Sequence, residues 1–484
     1  MARRPIVYAL LLAVTVPAFT FAGARATATT TSAHAALRPL SRPAAAPATK
    51  NVAVIAPNGS QSTTFVENFN PFTSSPNFPT DNGIYEPLMV FNSIKGKLVP
   101  WLATHYKFGA GNRSLTFTLR KGVKWSDGKP FTSADVAYTF NLLKKVPGLQ
   151  GRGLVAVNKQ NGYITSISTP NATTVTFNFN KSYTPGLYDI AWQEIVPQHI
   201  WTKISDPAKN ANAHPVGTGP FTQLVHFTAQ SYQLDKNPHY WQHGKPYING
   251  IRVPALAGNQ GQAVAFAQGG VDWAGFTTAN IQQSVMAHDP TNLHFWFPLV
   301  GGTALFMMNL TEKPFQNANV RKAISMSFDR NQMIALGLNG YTKPADVTGL
   351  SAGYKIWKPS KPSSLGNWTT YNPTEANKLL DAAGYKRGSG GIRVAPNGTP
   401  MRFKFIMVNG FTDWIAMGPT IVQDLKAIGI DATQTNMDFP VALSEWTLGK
   451  FDMSLFFGFT APTPFNVYQD IMSKATYVPV GQSS

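Results

Sequence analysis

Residues 106–147 read YKFGAGNRSLTFTLRKGVKWSDGKPFTSADVAYTFNLLKKVP. Leu115, Phe117 and Leu119 alternate with Thr116, Thr118 and Arg120, a period of two that predicts a strand with one buried face. Val123 and Trp125 resume the apolar run after Lys121-Gly122, and Asp127-Gly128 then supplies residues that tolerate positive φ, as a tight turn requires. Thr132 is placed to cap a helix, with Asp135 three residues on as an acidic form of the capping box. Val136, Phe140 and Leu143 share one helical face, and Pro147-Gly148 ends the pattern. The whole stretch is therefore a strand–turn–helix unit. Trp125, Asp127 and Phe131 have structural work to do within it.

Working outward, the chain has 484 residues, too many for one core of ordinary size, so at least two lobes are expected. Apolar residues make up 43% and aromatics 12%, a globular composition. The 40 glycines and 36 prolines fit many loops and short strands. With no cysteine in this sequence, disulfides, thiol nucleophiles, Cys–zinc sites and a lipidated-cysteine anchor are excluded. The net charge is +18, from 41 basic and 23 acidic residues, but the basic residues are scattered and form no dense run. Nucleic acid is therefore not an expected partner. So few carboxylates suit a protein working in acidic surroundings, because protonation then removes few folded-state charges.

Residues 1–24 have the layout of an export signal: Arg3-Arg4, an apolar run from Ile6 to Phe21, and the small-residue site Ala22-Gly23-Ala24. Ala24-Arg25-Ala26 and Ala33-His34-Ala35 are alternative cleavage sites. Residues 25–50, rich in Ala, Thr, Pro and Ser, read as a flexible linker. A first strand is expected over 51–56 and another over 173–179. Asn317 and Asp329 are placed to cap successive helices, the second ending at Gly340. Asn372-Pro373-Thr374-Glu375 is a capping box with proline at the first helical position, and that helix ends at Gly384. Residues 392–405 read as strand–turn–strand around Pro396-Asn397-Gly398. A helix over 415–428, a strand from Ile430 and an apolar strand over 451–459 follow.

Several of these stretches resemble one family. LTFTLRKGVKWSDGKPFTSADVAYTF is similar to the signature of the family 5 extracellular solute-binding proteins, ligand receptors of bacterial ABC importers. Leu98 to Ala103 resembles that family's "lvPwLA" run, and Pro215 to Phe221 its "PvGTGPf" turn into a strand. Asn237-Pro238-His239-Tyr240-Trp241 resembles "NpxYW", and Gly269-Gly270-Val271-Asp272-Trp273-Ala274 resembles "GevDxa". NLTEKPFQNANVRKAISMSFDR, residues 309–330, resembles its third long signature, and Phe451-Asp452-Met453 its "FDM" strand. Rival chemistries are weaker. Gly217-Thr218-Gly219 lacks the Lys-Ser/Thr of a phosphate loop, and His226, His239 and His243 are irregularly spaced for a metal. An exported hydrolase would need a nucleophile or zinc motif, and neither G-x-S-x-G nor H-E-x-x-H occurs.

The resemblance implies an α/β, two-lobed periplasmic-binding-protein fold of the large three-subdomain type, with a ligand cleft between the lobes. Lobe 1 is expected over 51–292, with an inserted subdomain at about 83–200, and lobe 2 over 293–484. The family's return to lobe 1 after the FDM region is not visible before Ser484. The resemblance further implies a monomer without cofactor or catalysis. It would be exported to the periplasm or the outer face of the cytoplasmic membrane, where it delivers an oligopeptide to permease subunits; an oligosaccharide is the alternative ligand. Peptide-binding relatives carry an acid after the FDM strand, to pair with the peptide's amino terminus. Here Thr460-Ala461-Pro462 stands in that place, and the next acid is Asp470. Candidate ligand-binding residues are Asn70, Phe72, Trp273, Trp414, Phe457 and Phe459, carried by segments that correspond to cleft-facing loops.

Overall fold

The computed structural model describes residues 51–57, 63–159, 162–297, 302–458, 461–473 and 480–481. The expected export signal and linker, residues 1–50, and the candidate Phe459 lie outside them.

The unit read first forms as expected. The strand Ser114–Leu119 buries Leu115, Phe117 and Leu119, and pairs antiparallel with Ala103–Phe108 on one side and Thr174–Phe179 on the other. Ile164–Asn171 completes this four-stranded antiparallel sheet. Gly128 takes φ +85° in the turn, where its N–H donates to the Trp125 carbonyl at 2.9 Å. Thr132 caps the helix Ser133–Lys145 through a complete capping box, with the Asp135 carboxylate accepting from the Thr132 N–H at 2.9 Å. Phe140 from that helix meets Phe177 of the sheet edge-on at 4.9 Å.

A second sheet carries the first strand. Its order is Trp273–Ala274, Val52–Ala56, Gly250–Pro254, Ser231–Lys236, Phe221–Phe227. Val52–Ala56 runs parallel to both its neighbours. The Gly217-Thr218-Gly219 segment brings the chain into this sheet at very close range to the element Thr80–Ile84. The Gly219 N–H donates to the Ile84 carbonyl at 2.9 Å. A Cβ at Gly217 would sit 1.9 Å from that same oxygen, so only glycine fits there. These two sheets share one continuous hydrophobic core, from Phe69 to Val253.

A third sheet has the order Leu305–Met308, Met453–Phe456, Arg402–Val408, Asp431–Met437. The last three strands are parallel and Leu305–Met308 is antiparallel. Its core runs from Phe315 to Leu455. Helices cover it with the expected caps: Asn317 before Ala318–Ser327, Asp329 before Arg330–Gly337, and Asn372 before Pro373–Ala382. The helix Thr412–Ala427 crosses the same core and starts earlier than its periodicity predicts.

The short helix Pro464–Met472 reaches away from this third sheet. Tyr468 Oη donates to the Thr348 carbonyl at 2.8 Å. Asn466 Nδ2 donates to Asp189 Oδ1, and Gln469 Nε2 to Tyr183 Oη, both at 3.3 Å. The helix thus joins the loop before Tyr354 to the segment 183–189, a long-range contact that no local pattern announces. No helix among the described residues is long and apolar enough to cross a membrane.

Candidate ligand cleft

In open α/β sheets, ligands bind beyond the carboxyl ends of the parallel strands. In this chain those ends come from two sheets. Val52–Ala56 and Trp273–Ala274 end side by side in the first core, tied by the Gly275 N–H to the Ala56 carbonyl at 2.9 Å. Arg402–Val408 and Met453–Phe456 end in the other, leading into Asn409-Gly410-Phe411 and Phe457. The two edges touch at the helix Gly258–Ala267. The Asn259 N–H donates to the Gly410 carbonyl at 3.0 Å, and Asn259 Nδ2 donates to Thr412 Oγ1 at 3.2 Å and Asp413 Oδ1 at 3.0 Å. Its Oδ1 accepts from the Thr277 N–H at 3.2 Å, so the whole Asn259 amide is engaged. Gly258 has φ +61°, and a Cβ there would lie 2.7 Å from Gly410. Burial pushes the Asp413 carboxyl above its ordinary range, against the Trp414 N–H and Asn259 amide that hold it down.

Next to this contact is an aromatic cluster. The Phe457 ring lies 5.1 Å from Trp414, 5.7 Å from Phe411, 6.2 Å from Phe439 and 6.3 Å from Trp446, centre to centre. Trp446 Nε1 is satisfied by Ser454 Oγ at 2.8 Å, so the surface it helps to form is apolar. Phe457 is 39% exposed whereas Trp414 is 6% exposed. Phe457 is thus the open ring and Trp414 its floor. On the opposite edge Trp273 is 53% exposed.

Of the residues expected from the sequence, the structure brings Trp414 and Phe457 into direct contact and leaves Trp273 open at the other edge. It corrects the expectation for Asn70 and Phe72, which are fully buried. Asn70 Nδ2 donates to the carbonyls of Pro207 and Asn210, both at 2.8 Å, and its Oδ1 accepts from the Phe72 N–H. Phe72 meets Trp201 edge-on at 5.0 Å. With no free polar atom and no exposed ring, these two residues build the loop wall and offer a ligand nothing. Asn259, Asp413, Phe411, Phe439 and Trp446 were missed. Asp413 immediately precedes the candidate Trp414 in the sequence. Nothing near Asn259 in the sequence singles it out, because its side-chain partners Thr412 and Asp413 are far along the chain.

A second group with perturbed acidity lies elsewhere and is closed. Glu86, fully buried, accepts from Trp101 Nε1 at 2.6 Å, Trp241 Nε1 at 3.0 Å and Tyr240 Oη at 3.3 Å. Burial outweighs these bonds and raises its carboxyl to about 7. Burial, reinforced by the charge of Asp81, raises Glu194 to about 8.

The model for bacterial extracellular solute-binding proteins, family 5 (middle region), matches residues 97–477. The chain belongs to that family, whose solved members are two-lobed α/β binding proteins. It is 29% identical over 374 residues to a probable ABC transporter-binding protein of Deinococcus radiodurans, covering 70% of this chain and 61% of that one. It therefore spans less than two thirds of that relative's length. The nickel-binding periplasmic protein of Escherichia coli is 25% identical over 393 residues, covering 79% of this chain and 72% of that one. Among solved structures, a periplasmic oligopeptide-binding protein of Thermotoga maritima with bound mannohexaose superposes with a TM-score of 0.75 at 23% identity. It covers 87% of this chain and 79% of that one.

Proposed function

We propose that this protein is the solute-binding component of an ABC importer, exported from the cytoplasm, which captures an oligopeptide between its lobes and hands it to permease subunits. The lobes are the expected 51–292, with its insertion at about 83–200, and 293–484. The observation that carries the reading is the meeting of two sets of strand ends at Asn259, with the half-open Phe457 cluster beside it. A concave, mainly apolar surface with few polar anchors is what a ligand site needs. Hinge closure would bring Trp273 toward Phe457, and the ligand would stabilise the closed form. The protein binds without converting its ligand and acts as a monomer.

One observation favours an oligosaccharide as the second reading. Ala461, which takes the place of the acid expected in peptide binders, is 4% exposed, so that position offers no charge to an amino terminus. Exposed aromatic faces suit the apolar faces of sugars. Calorimetric titration with a mixed peptide library and with β-linked oligosaccharides decides between them. Saturable binding of peptides, recovered intact afterwards, is expected. Binding of sugars alone would replace the peptide reading, and cleavage of either would replace the binding-protein reading with a hydrolase.

A further inference from the structure

The third sheet has a chamber of its own. A cavity of about 650 Å³ lies between its strands, the helices Ala318–Ser327, Arg330–Gly337 and Thr412–Ala427, and the loop 342–352. All its walls come from residues 302–455, so it belongs to one lobe. Its surface is largely apolar: Phe306, Met308, Ile334, Leu338, Met417 and Ile421 contribute side chains to it. A volume of this size is in the range that holds a small organic ligand.

The charged groups in the wall are unbalanced. Arg330, Lys343 and Lys358 face it, against Asp346. Lys358 Nζ donates to Asp346 Oδ2 at 2.8 Å and to the Leu350 carbonyl at 2.7 Å, which leaves one of its three N–H groups uncommitted. Arg330 donates only to neutral oxygens: the Ser325 carbonyl at 2.8 Å, Ser325 Oγ at 2.8 Å and the Thr369 carbonyl at 3.1 Å. Burial without a carboxylate partner disfavours its charge. In the same wall the Ser351 hydroxyl is buried and has no hydrogen-bond partner among the described residues. A buried guanidinium without a carboxylate partner and a lysine with one N–H to spare, beside an idle hydroxyl, are an arrangement that an incoming anion completes.

We propose that this chamber is a second ligand site, separate from the cleft between the lobes, for an apolar molecule that ends in a carboxylate. The hydrocarbon part fills the space between Phe306, Ile334 and Met417. The carboxylate accepts from Lys358 and from the Ser351 hydroxyl.

Octanoate and 1-octanol, titrated into the full chain by calorimetry, test this. Octanoate is expected to bind at one saturable site, at least about tenfold more tightly than octanol. Lys358→Met should reduce octanoate to the level of octanol. Ile334→Trp, which fills the chamber and leaves the charges in place, should abolish binding of both. Thermal melts confirm that each variant is folded. Absence of saturable octanoate binding, equal affinity for octanoate and octanol in the unaltered protein, or undiminished binding in Ile334→Trp would overturn the proposal.

Discussion

Two aromatic clusters in this molecule use similar residues to opposite ends. Around Glu86, Trp101, Trp241 and Tyr240 turn their polar atoms inward onto one buried carboxylate, and Arg120 lies 4.3 Å over the Trp241 ring. Around Phe457, the rings of Phe411, Trp414, Phe439 and Trp446 meet one another, and the polar atom of Trp446 is turned away onto Ser454. The first cluster is closed because a buried carboxylate needs donors turned onto it. The second has no charge to satisfy, so one ring can remain at the surface at little cost. An aromatic residue therefore becomes structural or available according to what its polar atoms and neighbours require.

Truncation should separate the clusters most strongly. Trp101→Ala removes a large side chain and a donor to Glu86, and should cost roughly 3–5 kcal/mol in urea unfolding. A loss under about 1 kcal/mol would show that the niche is not a stability element.

The next effect is on pH dependence. Glu86 and Glu194 carry folded-state pKa values raised from 4.5 to about 7 and about 8, so the folded state binds more protons than the unfolded chain between these limits. Stability should therefore be greatest near the lower limit and fall as pH rises through it, by an order of 3 kcal/mol for Glu86 at most. Asp127 and Asp346 work in the other sense. Burial raises each, but the hydrogen bonds from His199 and Lys358 outweigh it and leave both lowered, so their contribution is lost only as pH falls through the ordinary carboxylate range. Melting curves from pH 4.5 to pH 8.5 should show this decline, and Glu86→Gln should flatten its lower part. A slope unchanged by that substitution would contradict the titration assigned to Glu86.

Phe457→Ala should cost only about 1 kcal/mol of stability, since the ring is partly exposed, while lowering affinity for the cleft ligand about tenfold or more. Equal loss of stability in Phe457→Ala and Trp101→Ala would erase the contrast between the clusters. The smallest change in stability, within about 0.5 kcal/mol, is expected for Trp273→Ala, again with weakened ligand binding. Unaltered affinity there would remove Trp273 from the site.

Much of the fold was legible because its rules are local. The alternation at Leu115, Phe117 and Leu119, the turn at Gly128 and the caps at Thr132, Asn317, Asp329 and Asn372 each rest on residues within a few positions of one another, and each formed as read. The site was legible only in part. Trp414 and Phe457 lay in segments that the family places at the cleft, but nothing near them in sequence tells which ring stays open. Asn70 and Phe72 are carried by a segment that the resemblance places at a cleft-facing loop. Their partners Pro207, Asn210 and Trp201 lie more than a hundred residues away, so their burial could not be foreseen.

By itself the sequence determined several of the strands, turns and capped helices, the family, and the absence of any cysteine chemistry in this chain. These follow from spacing and residue type, which act over a few bonds. Tertiary structure alone decided which acid is buried among tryptophans, which aromatic ring faces outward, and that Asn259 joins two sets of strand ends. Those outcomes depend on desolvation and on the pairing of polar atoms between segments far apart in the chain. Both are properties of the assembled core, and no stretch of sequence carries them.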